Sequence, residues 1–373
     1  MMKIILPGIA MIAVVYAFAR FSFGLFLPNI TSSIGITESQ AGIASSAAYV
    51  SYTLALLFSS FSLKKFGQLR VIQLAGLSAV IGLVGIAFSY NFYVLLMSTF
   101  IAGIGSGLAS PAFSQVATTA FTGPIKDRAN TWINSGTSFG LVLSGPIALL
   151  FTEQWRFAFI LFAILAFAVL LWNTFSIPKT ATTSKTSTQS LFKWSTLTKA
   201  KHLIIASIII GLGTAIYWTF SRSFLIAEHQ MTTNESILFW ITMGAFGVVG
   251  GIGGMFIEKL GLAFIYRLTL LALSLAIAIL ALPSTIAIYS SAIGFGISYI
   301  LITGILIVWS TRLFSVAAVG VSLAFLSLGI GQSIGSAVAG ELIVQSSYTM
   351  SFLLFALITF TGLLVPIRRS LAS

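Results

Sequence analysis

PKTATTSKTSTQSLFKWSTLTKAK, residues 178–201, is the one long polar stretch in a chain that is otherwise apolar almost throughout. It opens on Pro178 and is rich in Thr, Ser and Lys, so it reads as a flexible cytoplasmic connector. On both sides, apolar stretches of about 20 residues recur, the length needed to cross a hydrocarbon core. They read as 5–29, 39–62, 71–90, 92–116, 129–151 and 157–177 before the connector, then 203–227, 235–257, 262–282, 285–309, 316–343 and 348–367 after it. The pattern predicts an all-α integral membrane protein of twelve transmembrane helices. Its two six-helix bundles are residues 1–177 and 202–373, with 178–201 between them.

Composition supports the bilayer. Charged residues make up 7% of the chain and hydrophobic ones 58%, whereas a soluble domain carries about a quarter charged residues. A membrane β-barrel would show short alternating segments instead. The net charge of +12 invites a nucleic-acid reading, but the placement of the charges answers it. With both termini in the cytoplasm, every Lys and Arg except Arg20, Arg156 and Arg222 falls on the cytoplasmic side, as the positive-inside rule requires. The partners expected are therefore the lipid bilayer and a small-molecule substrate, together with a coupling proton or a counter-substrate. No nucleic acid is expected, and the unit is a monomer in the cytoplasmic membrane. Lys3, an apolar run and Ala17-Phe18-Ala19 imitate a signal peptide, but the run continues past Arg20 to Pro28. The absence of cysteine removes disulfides, thiol catalysis and cysteine-ligated metals. No Walker motif, metal cluster or nucleophile–base pair occurs, so neither a cofactor nor an enzyme is expected.

The two halves repeat each other. Residues 159–165, FILFAIL, answer to 352–358, FLLFALI; Gly136, Gly140 and Gly145 answer to Gly331, Gly335 and Gly340; Gly103 and Gly105 answer to Gly294 and Gly296. After the eighth span, residues 254–261 read GMFIEKLG, and residues 60–67 read SFSLKKFG in the first half. The former resembles the Gly-x-x-x-(Asp/Glu)-(Lys/Arg)-x-Gly loop of the major facilitator superfamily. The latter keeps Lys65 and Gly67 but has Lys64 where the acid belongs. Trp155-Arg156 at the entry to the sixth span is similar to that family's pattern as well. Spans 1 and 2, with Arg20-Phe21, Leu27-Pro28 and Gln40 to Tyr52, resemble its YbfB-type branch. The resemblance implies a transporter that works by alternating access, with Gly254, Glu258, Lys259, Gly261, Lys65 and Gly67 as conformational loop residues.

Two residues stand out against the apolar background. Tyr16-Ala17-Phe18-Ala19-Arg20 and Trp218-Thr219-Phe220-Ser221-Arg222 follow one pattern, aromatic-x-Phe-x-Arg, in the first and seventh spans. A guanidinium in hydrocarbon costs about 3 to 15 kcal/mol depending on the reference. Its planar fork grips carboxylate or phosphate bidentately. Arg20 and Arg222 are accordingly the expected anchors of a small organic anion, with snorkelling to the outer surface as the structural alternative. Tyr16 and Trp218, four residues earlier, share a helix face with them; Tyr49, Tyr52, Asn134 and Gln332 are further expected wall residues. Glu341 alone among the acids falls within a span and is the coupling candidate. Two other readings remain open at this level: a proton-coupled exporter of drugs or metabolites, and a membrane sensor on a transporter scaffold.

Overall fold

A glycine with positive φ sits at the same place in both repeats: Gly67 (φ 77°, ψ 164°) and Gly261 (φ 81°, ψ 148°). Only glycine occupies that backbone region without strain, and each residue marks where one helix stops and the next begins. The computed structural model describes residues 1–122, 124–179, 194–251, 257, 259–314 and 317–367. Among them every regular element is helical. Nine of these helices are long and apolar enough to cross a membrane.

The chain forms two compact units, Met1–Lys185 and Thr186–Ser373. In the first, α1 (Met2–Ile12) runs into a π-helical stretch, Ala13–Phe21, and on into α2 (Ser22–Ile34). Helix α3 (Glu38–Ala87) begins with a capping box in which Thr37 and Gln40 bond reciprocally. Fifty residues of unbroken helix would run about 75 Å, against a hydrocarbon core of about 30 Å; Gly67 divides it. Then come α4 (Phe92–Ala120), α5 (Pro124–Asn134), α6 (Gly136–Leu150) and α7 (Trp155–Ser176). The Arg156 guanidinium donates to the carbonyls of Ala87 (2.9 Å) and Ser89 (2.7 Å), capping the end of α3 from the start of α7. Tyr90 and Trp155 flank the same guanidinium.

The second unit comprises α8 (Trp194–Ala227), α9 (Thr233–Gly250), α10 (Leu262–Ile279), α11 (Thr285–Leu313), α12 (Ala317–Gln345) and α13 (Tyr348–Thr361). Helix α8 begins within the expected connector, with residues 194–201 already helical. Leu197, Ala200 and Ile204, spaced three and four apart, pack with Val319 and Leu323. The Lys199 ammonium lies over the Phe314 ring at 5.2 Å from its centroid. A polar composition hides an apolar stripe here.

The repeat is also a packing rule. A Cβ at Gly136 would strike the Ile9 carbonyl, and one at Gly331 the Ile208 carbonyl, so each unit's first helix lies backbone-close to its fifth. Phe159 and Phe352, which open the repeated apolar segment, pack on Phe26 (5.3 Å) and Phe224 (4.7 Å) respectively.

Candidate functional site

Arg20 lies in the π-helical stretch, a rare conformation in which a helix widens and which recurs at functional sites. The residue is 7% exposed, so the guanidinium is held inside the unit. Four rings surround it: Tyr16 at 4.9 Å, Phe21 at 4.6 Å, Tyr49 at 5.2 Å and Tyr52 at 4.5 Å from Cζ to the ring centroid. Each face of negative π density attracts a cation. The guanidinium makes one hydrogen bond, from Nη1 to Ser106 Oγ at 3.3 Å. Its Nε is buried without a hydrogen-bond partner. No carboxylate pairs with Arg20 among the described residues.

A polar chain leads away from this cage. Tyr16 Oη lies 3.2 Å from Ser110 Oγ, which donates to Asn134 Oδ1 (3.0 Å). The Asn134 amide nitrogen in turn donates to the Asn130 carbonyl at 2.9 Å. Tyr16, Tyr49, Tyr52 and Asn134, four of the expected wall residues, thus gather around Arg20 in one unit. Phe21, Ser106 and Ser110 join them without having been expected. The signal for the serines is the i, i+4 spacing of Ser106 and Ser110 on α4, which puts both on the face toward α5 and the π stretch.

Arg222 meets different chemistry. It is 1% exposed, and neither arginine snorkels. Nε and Nη2 both donate to Ser236 Oγ, at 3.0 and 2.9 Å, and Nη2 reaches the Thr233 carbonyl at 3.5 Å. Its guanidinium therefore ties α8 to the first turn of α9. That turn is set by a capping box, Thr232 with Glu235. Trp218 packs instead among Trp240, Phe295 and Tyr299. Gln332 is fully buried and donates to Tyr299 Oη at 3.1 Å. The second unit's expected residues fall into two groups: Arg222 at Ser236, and Trp218 with Gln332 about Tyr299.

Glu341 is exposed and accepts from Gln345 at 2.7 Å. Lys65 is exposed beside Phe61 and Phe66, and Lys259 is exposed as well. Gly254 and Glu258 lie outside the described residues. Gly67 and Gly261 hold the backbone breaks described above.

Helical in every regular element of its described residues, with apolar spans, a pattern repeated in its two units and two buried arginines, the chain points to one family. The sequence profile of the Major Facilitator Superfamily matches residues 9–327. The chain belongs to that superfamily. It is a multi-pass membrane protein. Among its relatives is the sialic acid transporter NanX of Escherichia coli (strain K12), 25% identical over 201 residues, which are 52% of this chain and 49% of that protein. Another is the probable sulfoacetate transporter SauU of Cupriavidus necator, 24% identical over 267 residues, 65% of this chain and 61% of that one. The chain thus spans about half to three fifths of the length of these curated relatives. In fold it is similar to a crystal structure of a D-xylose-proton symporter, with a TM-score of 0.78, 13% identity and coverage of 99% of this chain and 98% of that one.

Proposed function

We propose that this transporter is a secondary carrier that moves a small organic anion across the cytoplasmic membrane by alternating access, with Arg20 as the anchor. The observation that carries the anion reading is the state of that guanidinium. It is buried, unpaired by any carboxylate among the described residues, and engaged through one of five N–H donors. A cation left so poorly satisfied in a membrane protein is costly, and the donors it leaves over match a carboxylate fork. Two relatives carry acids, sialic acid and sulfoacetate, in their names. Tyr16, Tyr49 and Tyr52 line the anchor, and Asn134 steadies Tyr16 through Ser110.

Arg222 takes a positioning role in this reading. Its bidentate hold on Ser236 leaves its fork occupied within its own unit. The reading takes twelve spans with both termini in the cytoplasm; the division of α3 at Gly67 and the shorter apolar helix α13 support the higher count. The test is uptake of a panel of radiolabelled carboxylates into proteoliposomes. Arg20→Lys abolishes uptake while the thermal transition of the purified protein is kept. Undiminished anion flux through Arg20→Lys would end the reading.

A further inference from the structure

The hydrogen-bond chain behind Arg20 has only one consistent set of proton positions. The Asn130 carbonyl is an acceptor and nothing else, so the Asn134 atom 2.9 Å from it is the amide nitrogen. That places Asn134 Oδ1 toward Ser110, 3.0 Å away. An amide oxygen only accepts, so the single Ser110 proton goes to it. Ser110 Oγ must then accept from Tyr16, and the Tyr16 proton is committed to Ser110 at 3.2 Å. What remains at Tyr16 is a phenol oxygen that accepts and does not donate.

The site therefore presents two complementary features side by side. Arg20 offers donors for a carboxylate, and Tyr16, whose ring lies 4.9 Å from the Arg20 Cζ, offers an acceptor. Tyr16 is half-buried, so its ring edge is not sealed in the core. We infer that the anion bound at Arg20 is a hydroxycarboxylate whose hydroxyl, on a carbon near the carboxylate, donates to the Tyr16 oxygen. This rests on the anion reading of Arg20 and adds to it a substrate class. A plain carboxylate fills only the donor half of the pair. A second carboxylate in the same place would set its acceptor oxygens against the Tyr16 lone pairs. The relay through Ser110 and Asn134 makes the selection, because it fixes which way the phenol proton points before a ligand arrives.

The experiment is binding of matched probes to the purified full chain by isothermal titration: propionate, lactate and 3-hydroxypropionate. At least one hydroxy acid binds about tenfold more tightly than propionate, the worth of one well-made hydrogen bond. Tyr16→Phe keeps the ring face beside Arg20 and erases the hydroxyl advantage, read as the ratio of hydroxy-acid to propionate affinity within the variant. Ser110→Ala releases the phenol proton and shrinks the advantage, read as the same ratio of affinities within the variant. Thermal melts matching the parent's establish that both variants are folded. If propionate and both hydroxy acids bind equally to the parent, and binding still depends on Arg20, the hydroxyl inference falls while the anion reading stands. Persistence of the advantage in Tyr16→Phe overturns the hydroxyl inference in the same way. If no probe binds, or if Arg20→Lys binds them all as the parent does, the anion reading fails and takes this inference with it.

Discussion

Around Arg20 the first unit supplies four aromatic rings and one hydroxyl; around Arg222 the second unit supplies a hydroxyl used twice and a backbone carbonyl. Both arginines end the same aromatic-x-Phe-x-Arg pattern and both are buried. The difference lies in what satisfies them. π faces attract the charge without consuming N–H donors, so Arg20 is held in place with its hydrogen-bonding capacity kept in reserve. Hydroxyl and carbonyl acceptors do consume donors, and they join α8 to α9 in the process. On the proposed reading, one neighbourhood receives an anion and the other holds the fold together, so that two copies of one sequence pattern take separate duties.

The sharpest way to break this contrast is to delete each charge in turn. Arg20→Met removes the anchor of a desolvated ion pair, a loss of about 2–5 kcal/mol in ligand binding, which is a hundredfold or more in carboxylate affinity. Its effect on unfolding stays within about 1 kcal/mol, because the lost cation–π contacts are offset by relief of the orphaned Nε. Titration and thermal melts on the same preparation read both quantities. Unchanged affinity would dissolve the distinction between the two arginines.

Next in size is the reciprocal deletion. Arg222→Met abandons hydrogen bonds to Ser236 and Thr233 that involve a charged donor, each worth about 1.5–3 kcal/mol in water-exposed proteins and less in membranes. A net destabilisation of about 2 kcal/mol is expected, read as a lower thermal transition in detergent. Ser236→Ala gives a smaller loss in the same direction. A melt as high as the parent's in Arg222→Met would strip that residue of its structural duty.

Much of this architecture is legible from local signals. Apolar runs bounded by turns announce the helices, and the glycine-ended loop after each second span announces the breaks at Gly67 and Gly261. Tyr16 and Arg20 are legible as a pair because four residues along a helix bring side chains together. The start of α8 is not, because Thr, Ser and Lys outnumber the Leu197, Ala200 and Ile204 that form its buried stripe. The fate of Arg222 is equally hidden. Its partner Ser236 lies fourteen residues on, across a loop, and only the Thr232–Glu235 capping box hints that a helix starts there. Ser106 and Ser110 are only half legible: their i, i+4 spacing puts them on one helix face, but serines are scattered through most of the helices, and the spacing alone does not separate a bonded one from a bystander.

The glycine breaks test whether the repeat is symmetric in energy where it is symmetric in backbone. Gly67 and Gly261 differ by 4° in φ (77° against 81°). An L side chain there costs about 1–3 kcal/mol. Gly67→Ala and Gly261→Ala should therefore each destabilise by about 1–2 kcal/mol, and by amounts equal within about 0.5 kcal/mol, measured by thermal melts. Unequal losses would mean that the two turns are supported differently, extending the asymmetry of the arginines to the loops.

The smallest expected effect probes the aromatic cage itself. Tyr52 has the nearest ring to the Arg20 Cζ, at 4.5 Å, and a desolvated cation–π contact is worth about 1–2 kcal/mol. Tyr52→Leu lets the guanidinium wander, and carboxylate affinity falls about fivefold to tenfold. Tyr52→Phe keeps the π face and stays within about twofold of the parent, which separates ring electrostatics from a role for the hydroxyl. Trp218→Leu, an aromatic-to-leucine change in the second unit, loses packing against Trp240, Phe295 and Tyr299. It lowers the melt yet leaves the affinity of the folded protein alone. An affinity loss in Trp218→Leu as large as that in Tyr52→Leu would return the second unit to the binding site. The division of labour between the arginines would then have to be redrawn as a shared one.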